Sequence, residues 1–339
     1  MPQPRHPQKG PFVADLRPGD SVTGFYLVRH KRLEPFRDRT RGEFLTIGLS
    51  DRSGQILARV WEGAGELADL FVEGDVVKIA GDVEEYLGRA QIIVQKLRQA
   101  AENEFNLADF QPATEKSVEE MTGVIRAAVE LIANPHLAAL VRRFFEDENF
   151  VREFNDAPAA RRIHHAYLGG LLEHTTEVLR LCDAVLALYP EIDADLLITG
   201  ALLHDIGKIR EYTWRTDLDY TDEGRLVGHL VVGAEMISQA IAALPEFPGE
   251  LSLRVRHMLV SHHGRYEWGS PRRPATLEAM ALHQVEELSV QVNRFRSLLT
   301  ARREPGETWT AYDRWLGRQL YAGREEERDL LIEESSELE

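Results

Sequence analysis

One cysteine in 339 residues, no long apolar run and no surplus of positive charge together exclude several classes of protein. Cys182 alone cannot close an intrachain disulfide, so the fold needs no oxidising compartment, and its apolar helical setting reads as a buried thiol. No stretch reaches the roughly 20 apolar residues of a membrane span. The opening "MPQPRHPQKGPF" has four prolines and no apolar leader core. These absences predict a soluble, cytoplasmic protein with no membrane partner. The formal charge of -16 is also uneven, with residues 1–100 netting +1 and residues 101–339 netting -17. An acidic body repels a polynucleotide at long range, so any such contact must rest on local basic clusters or on bound cations.

What is present falls into two patterns. From about residue 15 to 100, five runs alternate with period two: "SVTGFYLVRH", "GEFLTIGLS", "QILARVW", "GDVVKIAGDV" and "RAQIIVQKL", with a helical "GELADLF" after the third. Five strands with a helix after the third predict an all-β OB-fold barrel, a fold that often holds single-stranded nucleic acid. Between the first two strands lie Arg29, Lys31, Arg32, Phe36, Arg37, Arg39 and Arg41. Arginine beside an aromatic suits phosphate tracking and base stacking, so this loop is the candidate nucleic-acid contact; a merely solvated hairpin loop is the alternative.

Residues 1–14 are expected to be a flexible N-terminus and 101–117 a polar linker. From 118 to 322 the period is helical, giving an all-α bundle with helices expected over 118–133, 135–147, 164–188, 194–209, 228–243, 250–262 and 275–300. Residues 323–339 read as a disordered acidic tail. Trp309, Tyr312, Trp315 and Tyr321 fit core or interface better than substrate contact, which leaves self-association into a homo-oligomer open.

Eight of the 12 histidines fall between His164 and His263. In "ALLHDIGKIR" the apolar run is broken by His204 and Asp205, with Lys208 three residues on. Imidazole with carboxylate suits borderline divalent ions, and a helical bundle can gather such donors at its centre. Each donor also has an ordinary reading: His174 as a hydrogen-bonded core residue, His229 as a cap, His262 and His263 as the end of a helix. An unpaired buried histidine or aspartate is costly, so several within one apolar frame need each other or a metal.

The motifs "HHAYLGGLLEHT", "LLHDIGK", "TDEGRLVGH" and "SHHGRYEWGSP", in this order, resemble the HD-domain metal phosphohydrolases, and more narrowly the YhaM-type 3'-5' exoribonucleases, which join an OB-fold to an HD domain. The resemblance covers about residues 15–320. It implies that His174, His204 and Asp205 are metal ligands, with Asp205 bridging, and that His229, His262 and His263 complete a second metal. It implies that Lys208, with Asp205, serves catalysis by reaching the scissile phosphate or its nucleophile. The family's last metal ligand, a late Asp, is replaced, since "MALHQVEELSV" puts Glu286 at that place as the implied ligand, with Glu287 and Glu278 as competitors. The implied cofactors are two divalent ions, Mn2+ favoured over Fe, Co, Mg or Zn. The implied partner is single-stranded RNA, with single-stranded DNA as an alternative. Tyr266 and Trp268 are then candidates to stack a terminal base, and Arg272 and Arg273 to meet phosphates. Two rival expectations are a phosphohydrolase of a nucleotide or cyclic dinucleotide, and a non-catalytic single-strand-binding protein with a degenerate site.

Overall fold

The structure, a computed structural model, describes residues 9–215, 218–301 and 306–323. Alternating apolar residues build the first half. Strands β1 (Ser21–Pro35), β2 (Glu43–Asp51) and β3 (Gly54–Val60), helix α1 (Ala64–Ala68), and strands β4 (Val76–Tyr86) and β5 (Arg89–Gln99) form a closed barrel in the order β1-β2-β3-β5-β4. β3 and β5 run parallel and the other neighbours antiparallel. Tyr26, Leu45, Ile47, Leu49, Ile79 and Ile92 fill the interior, and closure leaves no free sheet edge.

Three expectations about this half change. β1 continues to Pro35, so Arg29, Lys31 and Arg32 belong to a strand and not to the loop, which shortens to residues 36–42. A register shift between Val28 and His30 lets the strand bend there. The predicted flexible start is tied down from residue 9: Lys9 Nζ lies 2.6 Å from Asp51 Oδ2 with both side chains buried, and rests over the rings of Phe12 and Tyr26. The expected linker packs as well. Phe110 is buried against Phe25 and Leu27, the Arg52 amide donates to the Asp109 carbonyl at 2.9 Å, and Gln111 Nε2 donates to the Trp214 carbonyl at 2.7 Å.

The second half is helical: α2 (Val118–Leu131), α3 (Pro135–Phe145), α4 (Glu148–Asp156), α5 (Gly170–Leu188), α6 (Ala194–Leu203), α7 (Lys208–Glu211), α8 (Asp222–Leu226), α9 (His229–Ala242), α10 (Gly249–Ser261) and α11 (Leu277–Thr300). A two-stranded ribbon, β6 (Tyr212–Thr213) with β7 (Asp219–Tyr220), follows α7. Side chains of Ser117, Asn134, Asp147, Asp193 and Thr276 accept from the first free amides of α2, α3, α4, α6 and α11, so local sequence sets these starts. α6 is the hub, with every residue from Leu196 to Leu203 buried.

Differences from the expected helices matter for the site. α5 begins at Gly170, because Gly169 takes φ 77 and His165 φ 44, both left-handed, which leaves 164–169 irregular. α6 stops at Leu203, so His204 is its C-terminal cap and Asp205 lies in a turn before α7. α4, with Phe150 and Phe154 one turn apart on its buried face, was not anticipated. Trp309, Tyr312, Trp315 and Tyr321 are all exposed, so the core reading of these aromatics does not hold. The predicted acidic tail lies, from residue 324, outside the described residues. Among the described residues no helix is long and apolar enough to cross a membrane.

Candidate metal centre and nucleic-acid interface

The turn that ends α6 carries Asp205 into the middle of the bundle. Its carboxylate is met from four directions: His174 Nε2 of α5 at 3.6 Å and His204 Nε2 at 3.2 Å from Oδ2, His229 Nε2 of α9 at 3.6 Å and His262 Nε2 at 3.5 Å from Oδ1. Lys208 Nζ lies 2.6 Å from Oδ2. His263 joins through its Nε2, 3.3 Å from that of His229. Gly207 permits this convergence, since a Cβ there would fall 2.1 Å from the carbonyl oxygen of His229.

The other face of each imidazole decides its tautomer. His204 Nδ1 donates to the Ala201 carbonyl at 2.8 Å, His262 Nδ1 to Leu259 at 2.8 Å and His263 Nδ1 to Trp268 at 2.9 Å. His229 Nδ1 donates to the Glu211 carboxylate at 2.9 Å. The Ser289 hydroxyl donates to Glu177 and so accepts from His174 Nδ1 at 3.2 Å. With Nδ1 protonated in all five, every Nε2 presents a lone pair to the centre. Lone pairs then face one another across 3.2 Å, between His174 and His204, and across 3.3 Å, between His229 and His263.

Such pairs repel unless a cation sits between them. Both oxygens of Asp205 and the Nε2 of His262 are buried with no hydrogen-bond partner, Lys208 meeting Asp205 as an ion pair without hydrogen-bond geometry. Donor triads His174, His204, Asp205 and His229, His262, His263 each lie within 4.8 Å, atom to atom. These residues therefore fit divalent cations. Burial holds His174 and His263 well below the usual histidine range and takes His262 to about 4, which keeps all three neutral and able to ligate. Burial alone would push Asp205 up, but the charge of Lys208 opposes it and the carboxyl is held well below its usual range.

Glu286 of α11 is buried but is drawn into neither triad. Burial, then the charge of Asp205, raises its carboxyl to about 8. Glu278 is committed elsewhere, 3.1 Å from Arg254. Tyr266 and Trp268 stand exposed on a short turn beside His263, with Arg273 over the ring of Tyr266 at 5.1 Å and Arg265 over Trp268 at 4.6 Å. Arg272 and Arg273 line a groove between α9 and α10.

On the barrel, the basic cluster divides. Lys31 Nζ donates to the carbonyls of Ala68 and Phe71 at the end of α1, and Arg29 Nε to Ser50 Oγ at 2.7 Å; both are engaged in holding the barrel. Arg32, Arg37, Arg39 and Arg41 stay exposed, and Arg41 lies 4.5 Å over Phe36. Phe36 packs with Phe44 at 5.1 Å and Trp61 at 5.8 Å between centroids, with Arg59 over Phe44 at 5.2 Å. Sequence reasoning missed Phe44 and Trp61. Their signal was aromatics at the outer ends of β2 and β3. It also missed Glu211, Ser289 and Glu177 behind the imidazoles, and gave no role to His164 and His165.

Comparison with known proteins bears on both halves. The HD domain family matches residues 171–290, and the OB-fold nucleic acid binding domain family matches residues 27–100. The curated 3'-5' exoribonuclease YhaM of Shouchella clausii (strain KSM-K16) is 34% identical over 292 residues, 86% of this chain and 90% of that protein. Among solved structures, a domain of replication protein A from Methanococcus maripaludis is 26% identical over 27% of this chain and 97% of its own, with a TM-score of 0.23. The second OB-fold domain of the same protein is 24% identical over 26% of this chain and 93% of its own, also with a TM-score of 0.23.

Proposed function

The chain belongs to the YhaM family of 3'-5' exoribonucleases, and from that premise we propose that single-stranded RNA is shortened at the Asp205 centre while the barrel grips the strand. The chain is a metal-dependent 3'-5' exoribonuclease with an OB-fold and an HD domain. The observation that carries the assignment of the site is the set of imidazole lone pairs turned toward one orphaned carboxylate.

His174, His204 and Asp205 would hold one divalent ion, and His229, His262 and His263 a second, with Asp205 shared between them; Mn2+ is the ion the family resemblance favours. Divalent ions bound there supply Lewis acidity toward a phosphodiester and a water nucleophile at neutral pH. The remaining work falls to the chain itself. Lys208 places a fixed positive charge beside Asp205, where a phosphate oxygen can be met and oriented. Ala201, Leu259, Trp268, Glu211 and Ser289 lock the five imidazoles so that no ring turns its protonated nitrogen inward. Tyr266 and Trp268 offer ring faces to the last bases, and Arg272 and Arg273 offer charge to the phosphates behind them. The platform of Phe36, Phe44 and Trp61, rimmed by Arg37, Arg39 and Arg41, would stack bases further upstream. Acid repulsion from the rest of the surface then favours a strand that stays on these two patches.

The test is purified full-length protein with manganese and a 5'-labelled single-stranded oligoribonucleotide, run beside the matching deoxyoligonucleotide and a panel of free nucleotides. A ladder of products shortening from the 3' end is expected. Hydrolysis of free nucleotides with the oligonucleotide left intact would refute the reading.

A further inference from the structure

His164 is used by none of the roles assigned above, yet it is the most anomalous side chain near the centre. Both of its ring nitrogens are shut off from solvent and neither has a hydrogen-bond partner. A buried imidazole with nothing at either nitrogen is costly and calls for a ligand. Its ring centroid lies 5.3 Å from that of His174, and the two residues, with His165, bring ligand atoms within 4.8 Å of one another. The charges of Lys208 and Asp205 both act on it, so it lies within reach of the centre.

The segment before α5 is built to deliver this ring. His165 adopts φ 44, a left-handed conformation that a side chain other than glycine takes only when its surroundings impose it. Those surroundings are specific. The His165 amide donates to Asn293 Oδ1 at 3.1 Å, the His165 carbonyl accepts from the Ala159 amide at 3.1 Å, and His165 Nε2 sits 3.3 Å from Glu177 Oε2. On the far side, the Leu168 amide donates to the Pro112 carbonyl at 3.0 Å and the Leu168 carbonyl accepts from Thr114. Gly170 is obligatory here, because a Cβ would lie 2.0 Å from the His165 carbonyl oxygen. Of the adjacent pair, His165 is thus the anchor and His164 the group it presents.

We propose that His164 is a further ligand of the divalent ion held by His174, His204 and Asp205, supplying at that ion the donor that Glu286, outside both triads, does not. The inference rests on the proposed metal centre and adds a donor to it. An imidazole in that place makes the ion's surroundings less anionic than a second carboxylate would, which favours borderline ions such as Fe2+ or Zn2+ over Mg2+.

The experiment measures metal directly. Full-length wild type, His164→Ala, His164→Gln and Glu286→Gln are stripped with chelator and titrated with MnCl2. Bound manganese is followed by calorimetry and by elemental analysis after gel filtration, with circular dichroism checking the fold. Both His164 variants should lose affinity at one ion by about 10- to 100-fold, the range typical of damage to a metal's supporting groups, and Glu286→Gln should lose less. The glutamine variant decides if the alanine variant does not fold. Wild type binding manganese with both folded His164 variants matching it would overturn this inference alone. Wild type binding no manganese would overturn the metal centre itself and this inference with it.

Discussion

The barrel and the bundle both have to deal with a polyanion, and they spend their polar groups in opposite ways. In the barrel, a buried or half-buried cation has a protein partner: Lys9 has Asp51, Arg29 has Ser50, and Lys31 has two carbonyls at the end of α1. In the bundle, Asp205, His262 and His164 keep buried atoms that no protein group satisfies. A satisfied charge stabilises a fold, whereas an orphaned one marks the place of something bound. The contrast separates residues that composition alone would pool, since a cluster of arginine and lysine reads the same whether it faces RNA or props up a helix.

The largest effect that could break this comparison is at Asp205. Asp205→Asn keeps the shape but removes the charge toward which four imidazoles turn. Exonuclease activity should fall on the order of 10²–10³-fold or more, as for loss of a major electrostatic element of a site, while binding of RNA to the protein falls far less. Equal loss of both in the same preparation would show that barrel and bundle are not separable in this way.

Acid should distinguish the two regions next. His262 is taken to about 4 by burial, and His164, His174 and His263 are lowered in the same direction. A depressed folded-state value means that the unfolded chain binds the proton first. The contribution is therefore complete above about pH 6.5, the ordinary histidine value, and is lost as pH falls toward about 4. His262 alone accounts for roughly 3 kcal/mol over that window. Metal-free protein should lose melting temperature steeply between these values. Glu286, raised to about 8, works the other way: its contribution is full below about pH 4.5, the ordinary glutamate value, and is lost as pH climbs to about 8, so it offsets only part of the histidine loss. The metal-free chain should thus be most stable near neutrality, and a thermal-melt series in pH that stays flat from 6.5 to 4 would contradict the buried, neutral imidazoles.

The two regions were also unequally legible in the sequence. Five strands and the helix after the third were readable because period-two alternation is local, and most of the helices were readable from their own period. The continuation of β1 through Lys31 and Arg32 was not, because charged residues on an exposed strand end look like a loop. The end of α6 at Leu203 was hidden too, since Ile206 and Ile209 prolong the apolar period across the turn. His174, His204, Asp205, His229, His262 and His263 were identified through resemblance of their motifs, and the geometry brings all six together. What no local pattern could carry is contact between distant residues. Asn293 reaches His165 across 128 positions and Ser289 reaches His174 across 115, so the supporting groups emerge only in the folded chain.

The smallest effects test the barrel's own division of labour. Trp61 is exposed and makes the outer part of an aromatic platform, so Trp61→Ala should weaken RNA binding by about 1–3 kcal/mol, the usual worth of one stacked base. Its melting temperature should hardly move. Lys31→Ala should do the reverse, because its ammonium closes off the end of α1 and lies 5.0 Å over the ring of Phe71. Arg39→Ala, at an exposed position between β1 and β2, should lower the slope of log affinity against log salt by about 0.7, one single-strand phosphate contact. Lys31→Ala should leave that slope alone while lowering stability. Binding isotherms at three salt concentrations and a melting curve for each variant read all of these together. If Lys31→Ala flattens the salt slope as Arg39→Ala does, the lysine meets phosphate after all, and a satisfied cation is no longer a reliable sign of a purely structural one.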